Sequence, residues 1–428
     1  MQQEWLAKKL VNYTLGIGQK ENTEGLKKAE RKYGKKVRAL TKKKKVAATK
    51  SNTKMLDDLC GVEYGPLFVK TGKSYKPKTK VGHSVIIAFN PANKKAAETI
   101  RKECIRKGAH TLMLERNTKA IRESYKLSPM DSVRELSPIT AALHGTADYY
   151  INLESIENEF WKKGINPAKF MASAPSNMKL HEIRDKRLQR WCYVGWPHPQ
   201  IAKELGLPPA KFKRIVNGAI QESFSPRMKK LVDGYYEALE GTSKIHIVHD
   251  DGTDLEFSVK GRRFMRDDAL LDGEDIRNKD VGMNIPAGEI FTAPREYSAN
   301  GIFKIPKNII PGHGLAEGIE FLFEKGKVVD YGASKHRDYL TKFFAENTGE
   351  VRRIAELGIG CNSKAEFTNG YIIVDEKIKG TLHIAIGWNI GYGGKNNASS
   401  HLDFIKPMYK GRMYADGVLV MDKGKLVA

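Results

Sequence analysis

The sequence predicts an N-terminal α/β domain with a parallel sheet, followed by a strand-rich α+β domain. Three observations point there. A strand–helix–strand unit spans residues 84–115. After residue 244, short β-type runs separated by Gly and Pro turns take over. The length of 428 residues allows two or three domains with substantial cores.

Residues 4–15 place Trp5, Leu6, Leu10, Val11 and Leu15 at helical spacing, which predicts an amphipathic helix. The basic stretch 20–58 follows as a largely helical arm or insertion. Residues 61–80, rich in Gly, Lys and Pro, read as loop. Ser84-Val-Ile-Ile-Ala-Phe89 is a strand, Asn90-Pro91 opens a helix running through Ile105, Gly108 ends it, and 111–115 is a second strand. A helix around 139–143 leads to a third strand at 149–153. No GxGxxG or P-loop follows the first strand, so this doubly wound pattern licenses no nucleotide ligand. Residues 195–222 have helix-turn-helix spacing, which an ordinary packed helix pair shares. From Lys244, runs at 245–248, 255–259, 290–292, 301–305, 318–323 and 371–374 read as strands, with helices near 335–346 and 351–356. Gly241-Thr-Ser is the expected hinge between domains 1–240 and 241–428.

The formal charge is +23, and residues 20–80 alone hold 19 Lys/Arg against 6 Asp/Glu, including the unbroken run Lys42, Lys43, Lys44, Lys45. Such a segment is either a solvated, solubilising face or a weak polyanion-binding surface. No apolar run reaches the roughly 18–20 residues of a spanning helix. The N-terminus also lacks an apolar signal core. The expectation is a cytoplasmic protein without a membrane partner. Cys60, Cys104, Cys192 and Cys361 show no CxxC spacing, which predicts reduced, mostly buried thiols.

Six potential metal ligands crowd the last third: Glu289, Glu356, Glu376, His383, His401 and Asp403. Four carboxylates and two imidazoles suit a pair of divalent ions, which makes a hydrolytic centre. Glu289 follows a glycine in a turn entering a strand. Glu356 is expected where a helix gives way to a Gly-rich loop. His401 and Asp403, two apart, share one face of an extended strand. The other conspicuous residues read as structural: His246 and His249, split across a strand, His313 in a Pro-Gly-His-Gly turn, and the strip 191–196.

The flanking segments are Pro286-Ala-Gly-Glu289-Ile-Phe-Thr-Ala-Pro294, Glu356-Leu-Gly-Ile-Gly360, Glu376-Lys-Ile-Lys-Gly-Thr-Leu-His383-Ile-Ala-Ile-Gly387, and Gly393-Gly-Lys-Asn396 leading to His401-Leu-Asp403. With Thr253-Asp-Leu-Glu-Phe257 and Gly261-Arg262, they make residues 244–405 resemble the aminopeptidase T / aminopeptidase S family of dinuclear metallo-aminopeptidases. Weaker similarity reaches 81–115 and 191–216. The resemblance implies that all six residues bind two divalent metal ions per chain (zinc, cobalt or manganese), with Glu356 as the bridge. It further implies a homodimer acting on short peptide substrates. The family places a tyrosine seven residues after the first histidine. Here position 390 is Ile, and Tyr392 is the candidate for that role.

Two ions sharing a water would generate a hydroxide that attacks the scissile carbonyl. Tyr392 would donate to the oxyanion, and Glu356 is the candidate base. The rival readings are a nucleic-acid-binding protein using 20–80 and 195–222, and a catalytically inactive member of the fold.

Overall fold

The computed structural model describes residues 3–61, 67–78, 80–154 and 164–427. The parallel sheet contains the three expected strands and two more. Its order is Gly282–Ile285, Arg190–Val194, Tyr149–Leu153, Ser84–Phe89, His110–Glu115, with every neighbouring pair parallel. The edge strand Gly282–Ile285 comes from beyond Gly241, so the chain returns to the first sheet after beginning the second half. Val85, Ile87, Ile151, Leu153 and Val194 share one core with Leu6 and Leu10 of the N-terminal helix. The pair Pro199–Glu204 and Pro209–Glu222 buries Ile201, Ala202, Phe212, Ile215 and Val216 in that same core. Arg214, on the outer side of the second helix, is held by Glu366 at 2.8 Å. The helix-turn-helix spacing is therefore met by ordinary packing against the sheet.

Two antiparallel sheets build the second half. The larger has eight strands, in the order Lys327–Gly332, Gly314–Glu324, Asn300–Ile310, Thr253–Ser258, Lys244–His249, Gly411–Ala415, Val418–Asp422, Lys425–Leu426. The smaller has five, in the order Met265–Asp267, Glu289–Thr292, Ile354–Gly360, Thr381–Gly387, His401–Pro407. Ile290, Leu357, Ile359, Ile384, Leu402 and Phe404 from the smaller sheet share one core with Phe303, Ile305, Ile319 and Phe321 of the larger. Each such side chain contributes about 1.5–3 kcal/mol by leaving water. Among the described residues no helix is long and apolar enough to cross a membrane.

The structure corrects three local expectations. Residues 351–356 do not form a helix; the strand Ile354–Gly360 runs there. Every residue of that strand is buried, so it shows no alternation, and Gly358 and Gly360 disfavour a helix. The run 371–374 is a short helix, Ile372–Asp375, rather than a strand. The Asp375 carboxylate folds it back by accepting from the Thr368 N–H at 2.7 Å and the Gly370 N–H at 2.8 Å. Finally, the 61–80 stretch contains a hairpin, Phe68–Thr71 with Ser74–Pro77, turning at Gly72. Residues 62–66 and 79 of that stretch lie outside the described residues.

Candidate metal centre

Strand register assembles the centre on one face of the five-stranded sheet. Glu289 sits opposite Asp267 and Gly360, Gly358 opposite His383, Ala385 opposite Glu356 and Asp403, and Gly387 opposite His401. Residues two apart share a face. Glu289, Glu356, His383, His401 and Asp403 therefore project together, while the apolar residues between them fill the core behind. An extra residue between Ile354 and Glu356 bulges the strand and re-aims Glu356. The positions interleaved on the polar face are Gly358, Gly360, Ala385 and Gly387. Space demands small residues there. A Cβ on Gly358 would lie 2.1 Å from the His383 ring, and one on Gly360 would lie 2.1 Å from the Ile378 carbonyl oxygen.

Glu356 stands between the two histidines. Its Oε1 is 3.4 Å from His383 Nε2, and its Oε2 is 3.4 Å from His401 Nε2. Asp403 Oδ1 lies 3.1 Å from His401 Nε2 and 3.9 Å from His383 Nε2, and Glu289 Oε2 lies 3.9 Å from His383 Nε2. Glu356, His401 and Asp403 offer ligand atoms that all fall within 4.8 Å of one another. His401 Nδ1 is 2.7 Å from the Trp388 carbonyl oxygen. A carbonyl only accepts, so Nδ1 donates its proton there. Nε2 is then the nitrogen turned toward the carboxylates and left for a metal, which is how metal-binding histidines are oriented.

Glu376 follows the short helix Ile372–Asp375, and the next residue, Lys377, is 0% exposed. Its ammonium lies 2.6 Å from Glu289, 2.9 Å from Glu376 and 2.9 Å from Asp267. Lys377 thus ties Glu376 to the rest of the cluster. Neither Lys377 nor Asp267 stood out in the sequence. The available signal for Lys377 was the run of three charged residues Asp375-Glu376-Lys377 between apolar Val374 and Ile378.

The electrostatics call for added positive charge. Five carboxylates face one ammonium, which leaves four negative charges when both imidazoles are neutral. Burial raises Glu376 to about 8, with Glu289 and Asp403 adding to the rise and Lys377 opposing it. Burial likewise lifts Asp267 to about 7. For the histidines burial works downward, and the carboxylates outweigh it. His383 rises to about 9 through Glu356, Asp403 and Glu289, and His401 to about 10 through Asp403 and Glu356. Burial pushes Asp403 upward, but His401 overrides it and holds the group at about 2.

Tyr392 reaches the cluster from the loop after Thr381–Gly387. Asn389 Nδ2 donates to the Ala355 carbonyl at 3.1 Å, and Asn396 Nδ2 donates to the Ile354 carbonyl at 2.7 Å. Arg262 donates to the Gly393 carbonyl and pairs with Glu296. So pinned, the Tyr392 ring lies edge-on to His401 at 5.5 Å and to Phe291 at 5.8 Å. Burial first, then Glu356, Asp403, Glu376 and Glu289, raises its hydroxyl well above the usual range, so it stays protonated.

The other conspicuous groups lie outside the cluster. His246 bonds Asp254 at 2.8 Å, His249 accepts from the Asp251 N–H at 3.1 Å, and His313 bonds Glu346 at 3.0 Å. Cys104, Cys192 and Cys361 are buried thiols, which burial raises.

The family model described as thermophilic metalloprotease (M29) matches residues 62–225 and 226–404. The chain belongs to that metalloprotease family. Among its relatives are aminopeptidase T of Thermus thermophilus, 23% identical over 53% of this chain, and aminopeptidase T of Thermus aquaticus, 28% identical over 46%. The chain spans about half the length of these curated relatives, 59% and 51%. Wild-type AmpT from Thermus thermophilus has the same fold, with a TM-score of 0.64 and 20% identity over 81% of this chain and 95% of its own. 2,5-Dihydroxypyridine dioxygenase from Pseudomonas putida KT2440 shares the fold at a TM-score of 0.56 and 17% identity, over 81% and 92%. One fold thus carries two chemistries, and the reaction has to be read from the site.

A metalloprotease implies divalent metal, and this metalloprotease-family site fits one. Its donors are imidazole nitrogens and carboxylate oxygens without thiolate, a set for borderline or hard ions. Glu289 Oε2 and His383 Nδ1 are buried without a hydrogen-bond partner. The excess negative charge is a further reason for a cation.

Proposed function

We propose that this protein is a metal-dependent aminopeptidase that holds two divalent ions and releases N-terminal residues from short peptides. One observation carries the reading: the two oxygens of Glu356 face different imidazoles, each at 3.4 Å. A carboxylate so placed suits a bridge. In this reading Glu289, Glu376, His383, His401 and Asp403 complete the ligand set. The four surplus negative charges equal the charge of two divalent ions. Zinc, cobalt and manganese all accept such donors.

When bound, the ions supply Lewis acidity, bringing the pKa of water from roughly 15.7 to about 7 and polarising the scissile carbonyl. The protein's own groups do the rest. Glu356 accepts the proton of the attacking water and passes it to the leaving amine. Tyr392, held protonated, donates a hydrogen bond to the carbonyl oxygen as it turns negative. Lys377 keeps Glu289 and Glu376 aimed and offsets part of their mutual repulsion. The small residues between the ligands let the His383 ring and neighbouring backbone close over them, which packs the ligands together.

The test is metal analysis paired with peptide cleavage. About two ions per chain are expected, with release of amino acids from unblocked peptides and none from N-acetylated ones. Equal cleavage of blocked and free peptides would sink the exopeptidase assignment. A protein that takes up no ion would sink the metal centre.

Tyr392→Phe removes only the hydroxyl. Its expected effect is a 10²–10³-fold lower kcat, the order found when one oxyanion donor is lost, with KM and metal content nearly unchanged. A kcat within threefold of the parent would remove Tyr392 from the reaction. In that case the aromatic contact with His401 is its whole role.

A further inference from the structure

The described residues of 19–82 form a structure that the peptidase reading leaves unused. The chain enters through the strand Gln19–Glu21 and leaves through Lys80–Gly82, and these strands pair antiparallel with Glu21 opposite Lys80. What lies between is an appendage on a two-stranded neck. It has its own core, including Ala29, Val37, Leu56, Leu59, Phe68 and Tyr75, separate from the two main cores. Three helices, Thr23–Tyr33, Lys36–Thr41 and Thr53–Asp58, pack with a sheet ordered Val46–Ala47, Ser74–Pro77, Phe68–Thr71. The metalloprotease match begins only at residue 62, after all three helices.

The charge on this appendage is arranged. Every described Lys and Arg between positions 27 and 78 is exposed. Three of them meet acids: Arg38 with Glu30, Lys32 with Asp58 and Lys70 with Asp57. The other described Lys and Arg of this stretch take part in no ion pair, among them Lys42, Lys43, Lys44, Lys45, Lys73 and Lys76. The register sets Lys45 beside Lys76, one step past the Val46–Tyr75 pair, and Lys73 beside Ala48, one step past the Ala47–Ser74 pair. The run 42–45 therefore enters this strand pair at its Lys76 end, with Lys73 at the other end. A like-charge pair on adjacent strands is unfavourable by itself, and a polyanion along this edge would relieve it.

The surroundings select which polyanion. Val69 is the one large hydrophobic residue exposed among the described residues of the appendage. A membrane-surface element needs an apolar face of Leu, Phe or Trp, and an acidic protein partner needs an apolar centre to its interface. Stacking platforms for single-stranded bases are also missing among the described residues of the appendage. Phe68 and Tyr75 are buried, and Lys32 lies over the Tyr33 ring, its Nζ 5.2 Å from the centroid. We propose that the edge formed by Lys42, Lys43, Lys44, Lys45, Lys73 and Lys76 binds the phosphate backbone of double-stranded nucleic acid without reading sequence. The proposal stands independently of the peptidase reading.

The test uses the full chain and short mixed-sequence DNA and RNA duplexes, followed by fluorescence anisotropy over a salt series. The parent is expected to bind one or both duplexes with log K falling linearly in log salt. K42Q/K43Q/K44Q/K45Q should flatten that slope by about 3.6 and weaken low-salt binding at least ~10-fold, since each of the four phosphate contacts contributes about 0.9 to the slope. The control K325Q/K327Q/K423Q/K425Q removes the same charge from exposed positions on the eight-stranded sheet side. It should change binding less than about twofold if the site is local. Both variants alter only exposed lysines, and equal melting temperatures would show that each is folded. Equal losses in the two variants would overturn the proposal in favour of net charge alone. Absence of duplex binding, or binding to phosphatidylserine vesicles in place of duplexes, would overturn it as well.

Discussion

Glu356→Ala is expected to lower kcat/KM by on the order of 10³-fold or more, because it removes both the candidate bridge and the candidate base. The same change should also lower the stability of the metal-free protein at neutral pH. Glu356 lies 3.4 Å from both His383 and His401 and helps to hold their imidazoles protonated, so its loss leaves two buried charges with fewer partners. That loss of stability should fade as the pH rises through about 9 and 10, where the imidazoles shed their protons. Glu356→Gln keeps the side-chain volume, so the fold is retained, but with a single carbonyl oxygen it can neither bridge two ions nor accept a proton, and it should lose activity as Glu356→Ala does. Activity of Glu356→Ala within tenfold of the parent, with two ions still bound, would falsify both assignments of Glu356.

The sequence showed the ligands more clearly than their setting. His401 and Asp403 were legible as a pair because strand periodicity alone puts them on one face, and the structure does so at 3.1 Å. The βαβ strands were legible because apolar runs bounded by Asn-Pro and Gly leave few alternatives. The strand Ile354–Gly360 was not, since burial on both faces erases the alternation that marks a strand. The strand Gly282–Ile285 is four residues long and joins a sheet formed by distant sequence, so nothing local announces it. Tyr392 illustrates a different limit. Spacing along the chain put it two residues beyond the family position, yet the 390–392 turn, pinned by Asn389 and Asn396, carries its ring to His401. Residue count measures path length, whereas the site depends on where the path ends.

Lys377→Met is expected to destabilise the protein by roughly 3–5 kcal/mol, the cost of leaving buried charges without their partner. Lysine is the residue least expected at full burial, and here its ammonium touches three carboxylates, Asp267, Glu289 and Glu376. Methionine matches the length of the stem but brings no charge, so packing is conserved while the carboxylates face one another. The loss should be largest in chelator. Divalent ions would return positive charge to Glu289 and Glu376, so added metal should recover part of the denaturation midpoint. Asp267 sits opposite Glu289 and is outside the proposed ligand set, so metal should not repair its exposure to Lys377 loss. Asp267→Asn in the Lys377→Met background should therefore restore stability further, even in chelator. Urea denaturation of the parent, the single variant and the double variant, each with and without metal, measures all of these. An unchanged midpoint for Lys377→Met in chelator would mean that the carboxylates simply take up protons. Burial already lifts Glu376 to about 8 and Asp267 to about 7. The ammonium would then serve ligand geometry and not stability. The two outcomes separate cleanly in pH dependence. Carboxylates that are neutral at pH 6 lose that escape as the pH rises through 7 and 8, so a destabilisation of Lys377→Met that grows over this range would assign Lys377 its charge-balancing role.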